Sequence, residues 1–336
     1  MFKKAELITM RALTPVHVGC GSDLGLVDLP IQREKHTGYP KIESSGIKGC
    51  IREAFEEIAK SMQDVYDIHN IFGYDSSSEN CYIDPDSNKI VNIKKEDIEK
   101  DFKGSDKFAG AIGFTDARII IFPVISAKDV FAYVTCPDVL NRFFDELNSI
   151  GEEKGIGDKF KKEIIVSEEK AISSKKCKLK IGSRIVIEEY TYDADEKEII
   201  DELCEVLSSK MGLDKDRLLN KLIVVDDSHF KDYVTMNTEV VTRTKIDDKT
   251  GTVSGNALFT EEFLPAETVM SSFILYSPAF SAVQANESEE KKNTPMLVGE
   301  VIKYFKQKTK EIPVLQIGGD ATIGKGIVKV NWGCDK

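Results

Sequence analysis

The clearest periodic run of hydrophobic positions is Ile47, Ile51, Phe55, Ile58 and Met62, three to four residues apart among polar neighbours. That spacing predicts an amphipathic helix with one buried stripe. Ser44 or Ser45 is its expected N-cap, and Lys48 and Arg52 stand one turn apart near its start. Upstream, residues 5–14 read as a strand closed by Pro15, and a glycine-punctuated loop runs from Gly19 to Ser45. Downstream, 110–124 reads as two strands turning near Asp116, and 130–135 as a third. Pro137 then opens a helix through Leu140, Phe143, Phe144 and Leu147, since proline is tolerated in a first turn.

Polar, acidic 64–107, with its Ser76-Ser77-Ser78 tract, is expected to be an insertion, and lysine-rich 151–180 a loop. Residues 184–192 predict a strand and 199–211 a helix, within an acidic helical insertion over 187–232. The segment 234–264 alternates through Val240-Val241-Thr242-Arg243-Thr244-Lys245-Ile246, turns at Asp247 to Gly251 and returns to Leu258-Phe259. It predicts a hairpin that projects from the body, having few large apolar groups at its tip. A strand at 273–276, a helix at 297–305 and two strands flanking a glycine-rich loop within 315–330 complete the chain. The mixture predicts an α+β fold with antiparallel sheets, one domain over 1–336.

Charge first argues against nucleic acid: 46 Lys+Arg against 57 Asp+Glu give a net charge of −11 over 336 residues. The deficit is local, however. Residues 56–106 carry −7 and 187–232 carry −8, so the remainder is +4, and 301–336 alone is +4. No apolar run reaches the roughly 20 residues that span a bilayer, and the start lacks a signal-peptide pattern, so a cytoplasmic protein is expected. Seven scattered cysteines without a C-x-x-C pair suggest neither a disulfide frame nor a zinc cluster.

Three constellations can carry chemistry. Gly318, Gly319, Gly324 and Gly326 with Lys325 can bring backbone N–H groups to a phosphate, or form only a tight turn. They are not a P-loop, because Gly326 stands where Ser or Thr is needed and a strand follows. Asp28 sits between Val27 and Leu29, where an acid can cap a turn, pair with Arg33 or act on a substrate. His17 and Cys20 have the gap of a metal pair with no second pair to complete it. Lys48 and Arg52 beside a helix start either form a solvated face or grip a sugar-phosphate backbone.

Together and in this order, these features resemble a known family. The strings Leu13-Thr14-Pro15-Val16-His17-Val18-Gly19, then Leu24-Gly25-Leu26-Val27-Asp28-Leu29-Pro30-Ile31-Gln32-Arg33, then Ile47-Lys48-Gly49 before a helix, resemble the RAMP superfamily of CRISPR proteins. The 27–40 block narrows the likeness to the backbone subunits of type III-B (Cmr) effector complexes. Phe114-Thr115-Asp116-Ala117-Arg118, Tyr133 to Pro137, Thr260-Glu261-Glu262 and Leu315 to Gly326 continue it along nearly the whole chain.

The resemblance implies a ferredoxin-like (RRM-type) palm with a β-hairpin thumb at 234–264, in head-to-tail copies along a CRISPR RNA. It implies cutting of complementary target RNA at six-nucleotide intervals, by attack of a 2′-OH on the adjacent phosphodiester with a divalent cation, Mg2+ or Mn2+. Asp28 matches the family's cleavage aspartate, as base or metal ligand; His17, Glu261 and Glu262 are secondary candidates. Ser45, Gly46, Lys48, Arg52, Arg243, Lys245, Gly318, Gly319 and Lys325 are the expected RNA contacts, with Gly46 replacing the serine common in relatives. Other subunits of the type III-B complex are further expected partners, and a membrane is not. A scaffold without catalysis is the alternative, and a nucleotide-dependent metabolic enzyme built on the glycine-rich loop a remoter one.

Overall fold

A computed structural model describes residues 2–22, 25–75, 80–96, 98, 107–152, 155–280 and 295–333. The Ser76-Ser77-Ser78 tract, part of the expected 64–107 insertion and Cys334 lie outside the described residues, as does the side chain of Lys245. The chain forms two compact units. The larger holds residues 7–42, 117–272 and 316–336; the smaller holds 1–6, 43–116 and 273–315.

In the larger unit, strand Ala117–Ile125 pairs antiparallel with Phe131–Thr135 and with the first residues of strand Val269–Tyr276. The end of strand Lys4–Ala12 pairs antiparallel with Ile327–Asn331. Beyond Phe131–Thr135 the order continues through Leu222–Val224, Lys170–Ser173, Tyr190–Glu196, Arg184–Ile187 and Lys180–Ile181. Two of these pairings are parallel, Leu222–Val224 with Phe131–Thr135 and Lys170–Ser173 with Tyr190–Glu196, so the sheet is mixed rather than purely antiparallel. Helix Pro137–Ser149 starts on proline as expected and buries Val139, Leu140, Phe143, Phe144 and Leu147.

Two expectations about segments of this unit are corrected here. Residues 187–232 are not an outer insertion: Leu222, Ile223 and Val224 are fully buried in the sheet, and helix Ile199–Met211 buries Leu203 and Leu207. Residues 151–180 contain helix Ile156–Glu163 and strand Lys170–Ser173 rather than a loop. The helix is too short and the strand too continuously buried, through Ala171, Ile172 and Ser173, for either to show a period.

In the smaller unit, helix Ser44–Glu57 buries Ile47, Ile51 and Phe55, and the Phe55 ring stacks on Phe305 of helix Val298–Thr309 with centroids 5.3 Å apart. Its N-cap is Glu43, whose side chain makes no capping bond; the Ser44 N–H donates instead to Asp116 Oδ1 at 2.9 Å. Met62 starts a separate helix, Met62–Phe72, capped by Ser61 and buried through Val65, Tyr66 and Ile68 to Phe72. The expected insertion therefore begins inside packed structure. The acids survive there on local partners, Asp64 pairing with Lys308 at 2.6 Å.

Strands Glu239–Ile246 and Val253–Phe263 form the expected hairpin as a two-stranded sheet of their own. Its return strand runs past the loop that carries Asp28, and the site is built on that meeting.

Candidate functional site

Residues 28–31 lie alongside the return strand. Leu29 N–H donates to the Thr260 carbonyl at 3.0 Å, and Glu262 N–H donates to the Leu29 carbonyl at 3.0 Å, a short parallel ladder. Asp28 is exposed at its edge. Its Oδ2 accepts from the Thr260 N–H at 2.7 Å and from the Thr260 hydroxyl at 2.8 Å, while the Asp28 N–H donates to that hydroxyl at 2.9 Å. Those donors, the backbone N–H foremost, hold the carboxyl below the usual aspartate range. Asp28 is thus ionised and oriented, and among the described residues its Oδ1 makes no hydrogen bond. Arg33, the pairing open from sequence, goes elsewhere.

The next two residues of the strand turn inward. Glu262 is 5% exposed, and its Oε2 accepts the Ile31 N–H at 3.0 Å. Its Oε1 takes the Thr238 hydroxyl at 2.7 Å and the Arg33 guanidinium, which also donates to the Gly38 and Val234 carbonyls. Glu261, also 5% exposed, pairs through Oε2 with Arg243 Nε at 2.8 Å and faces His17 Nε2 at 3.5 Å. Burial first, and then a hydrogen bond shared with Asp320, raise its carboxyl above the ordinary value. His17 is buried, with Nδ1 2.7 Å from the Glu262 carbonyl; a carbonyl only accepts, so that nitrogen carries the proton.

Thr260, Glu261 and Glu262 therefore grip three parts of one site: Asp28, His17 and the extended segment 31–33. The structure brings together Asp28, His17, Glu261, Glu262 and Arg243; of the three acids Asp28 alone is exposed, and Arg243 is partly exposed. Glu261 and Glu262 brace the site from inside rather than reaching into it. Thr260, whose partner lies 232 positions away, and Asp320, which binds Arg243 Nη2 at 2.7 Å, stood in the matching strings without a site role.

The glycine-rich loop packs on the same strand entry. Gly319 N–H donates to the His17 carbonyl at 2.9 Å and Gly326 N–H to the Pro15 carbonyl at 2.8 Å. Gly318 has φ +84°, and a Cβ there would stand 2.0 Å from the His17 carbonyl oxygen. Close backbone approach accounts for Gly318 and for Gly326, where a Cβ would stand 2.2 Å from the Ile317 carbonyl oxygen. Lys325 Nζ lies over the Phe263 ring, 4.9 Å from its centroid, with the Arg243 guanidinium 5.5 Å from the same centroid.

The other expected contacts lie in the smaller unit. Ser45, Gly46 and Gly49 are exposed on the first turns of helix Ser44–Glu57, and a Cβ on either glycine would meet open space. Lys48 reaches the Ile112 carbonyl at 3.4 Å, and burial, then Arg52, lower its pKa. Arg52 is spent internally, on Glu56 at 2.7 Å and the Gly73 carbonyl at 3.0 Å.

Among the described residues, no group of three or more His, Cys, Asp or Glu side chains could hold a metal ion. One free carboxylate oxygen on Asp28 is too little for a protein-held cation, so the residues do not fit a metal cage. No helix among the described residues is long and apolar enough to cross a membrane.

The RAMP superfamily model matches residues 9–329. This chain belongs to the RAMP superfamily. Within it, the RAMP protein is 33% identical over 330 residues to the CRISPR system Cmr endoribonuclease Cmr4 of Pyrococcus furiosus, covering 97% of this chain and 95% of that one. A crystal structure of oligomeric Cmr4 from Pyrococcus furiosus superposes with a TM-score of 0.64 at 26% identity, over 98% of this chain and 97% of the other. A chain in a cryo-EM structure of type III-B Cmr-β bound to cognate target RNA shares the fold, with a TM-score of 0.63 at 22% identity over 98% of both chains.

Proposed function

We propose that this RAMP protein is the repeating backbone subunit of a type III-B CRISPR effector, binding guide RNA and cutting complementary RNA at six-nucleotide intervals. The observation that carries this reading is Asp28: an exposed, ionised carboxylate fixed through one oxygen, in a chain 33% identical to a Cmr endoribonuclease. A ferredoxin-like palm and a thumb at 234–264 belong to the same proposal.

RNA carries its own nucleophile. The 2′-oxygen attacks the adjacent phosphorus, the P–O5′ bond breaks, the leaving 5′-oxygen takes a proton from water, and the products are a 2′,3′-cyclic phosphate and a 5′-hydroxyl. Asp28 accepts the 2′-hydroxyl hydrogen and aligns the oxygen opposite the leaving group. A carboxyl held below its ordinary pKa is a weak proton sink, so alignment carries more of the acceleration than basicity does. A divalent cation, when bound, would supply neutralisation of phosphate charge. The exposed helix start at Ser45 and Gly46 supplies N–H groups suited to guide phosphate, with Lys48 nearby. Net charge of −11 makes one copy a weak RNA binder, so affinity comes from many copies and other Cmr subunits along one guide.

The test is a complex assembled with guide RNA and offered complementary RNA. The wild type releases fragments six nucleotides apart with cyclic phosphate ends, and Asp28→Ala does not. RNA binding without fragments in the wild type would leave only the scaffold.

A further inference from the structure

We propose that Thr260 is the positioning residue for Asp28, its hydroxyl fixing the carboxylate in the orientation used for cleavage. The proposal rests on the reading of Asp28 as the cleavage residue.

An exposed aspartate on a loop ordinarily moves among staggered rotamers on the picosecond to nanosecond scale. Asp28 is closed into a ring instead. The Asp28 N–H donates to Thr260 Oγ1 at 2.9 Å, and that hydroxyl donates onward to Asp28 Oδ2 at 2.8 Å. The direction of each bond is forced: an amide only donates and a carboxylate only accepts, so the hydroxyl hydrogen is committed to Oδ2. The Thr260 N–H adds a third bond to the same oxygen at 2.7 Å. With Oδ2 doubly held, both carboxylate torsions are set and Oδ1 is presented to solvent in one direction.

The hydroxyl is separable from the frame that holds the loop. Leu29 and Glu262 exchange backbone hydrogen bonds with and beside Thr260, and Ile31 and Arg33 are tied to Glu262. None of those bonds uses the Thr260 side chain. Valine matches threonine in shape and favours a strand, so Thr260→Val removes the two hydroxyl bonds and leaves the ladder. Serine keeps the hydroxyl.

Assembled complexes carrying Thr260→Val, Thr260→Ser or Asp28→Ala, each with the same guide RNA, are compared in single-turnover cleavage with saturating complex in excess over target, and in target Kd. Misplacing a reacting group by about 1 Å costs on the order of 100-fold. Because the Thr260 N–H still holds Oδ2, Thr260→Val is expected to cut about 10-fold more slowly, with target Kd unchanged. Thr260→Ser is expected to stay within about 2-fold of wild type, which a purely structural loss would not reproduce. Wild-type cleavage by Thr260→Val alongside a silent Asp28→Ala would overturn the role of Thr260 alone. Equal slowing by serine and valine, or loss of binding in step with cleavage, would also overturn it. Wild-type cleavage by Asp28→Ala would overturn the reading of Asp28 itself.

Discussion

Asp28 and Glu262 are acids held by the same strand, and both were candidates for catalysis, yet they end in opposite circumstances. Glu262 is buried with both oxygens occupied, by Ile31 on one side and by Thr238 and Arg33 on the other. Asp28 is exposed with one oxygen occupied. A saturated carboxylate can only hold structure; a fixed but unsaturated one has a lone pair left for a substrate. What separates the two roles is the number of partners remaining, which residue type and sequence position do not report.

The largest expected effect breaks the buried side of that comparison. Glu262→Ala leaves the part-buried Arg33 guanidinium with only the Gly38 and Val234 carbonyls and takes the acceptor from the Ile31 N–H, a loss of about 3 kcal/mol, the low end for one partner of a buried ion pair. Chemical denaturation of the isolated chain should show that loss. Asp28→Ala, exposed and on a loop edge, gives up only its bonds to Thr260 and should move the same curve far less.

The smaller unit extends the comparison to a third acid. Burial pushes Asp67 up to about 6 and, with Arg52 adding to it, pushes His69 down to about 4. Between pH 4 and 6 folded Asp67 keeps a proton that the unfolded chain has released, so its contribution to stability falls as pH rises. His69 runs the other way: the unfolded chain binds a proton below about 6.5 that folded His69 refuses, so stability rises with pH through that window. Each amounts to about 3 kcal/mol, and the two nearly cancel. Asp67→Asn should expose the rising slope and His69→Gln the falling one, read from denaturation midpoints at pH 4, 5 and 6.

A smaller effect distinguishes two kinds of glycine. Gly46→Ala meets open space in a helix and should raise helix stability by about 0.5–1 kcal/mol. Gly318→Ala, by contrast, would drive a Cβ into the His17 carbonyl and should destabilise. A thermal shift of the same sign in both variants would contradict the packing explanation of the 315–326 loop.

Long amphipathic periods made the helices at 44–57 and 199–211 legible, and Asp28 stood out as an acid among apolar neighbours. Strand Leu222–Val224 was hidden because three buried positions are too few to show a period, and they stand between helix Lys215–Lys221 and Asp226-Asp227. Arg52 and Arg243 were legible as cations, but not their internal partners, since Gly73 and Asp320 approach only through the fold. The grip of Thr260 on Asp28 was equally out of reach, a contact across 232 positions with no periodic signature.

The central claim, that the unsaturated oxygen of Asp28 serves cleavage, is tested most directly by Asp28→Asn, which keeps the shape and removes the charge. In an assembled complex with guide and complementary RNA, target Kd should equal that of wild type while the six-nucleotide fragments disappear. Fragments forming at the wild-type rate with the same spacing would contradict the account.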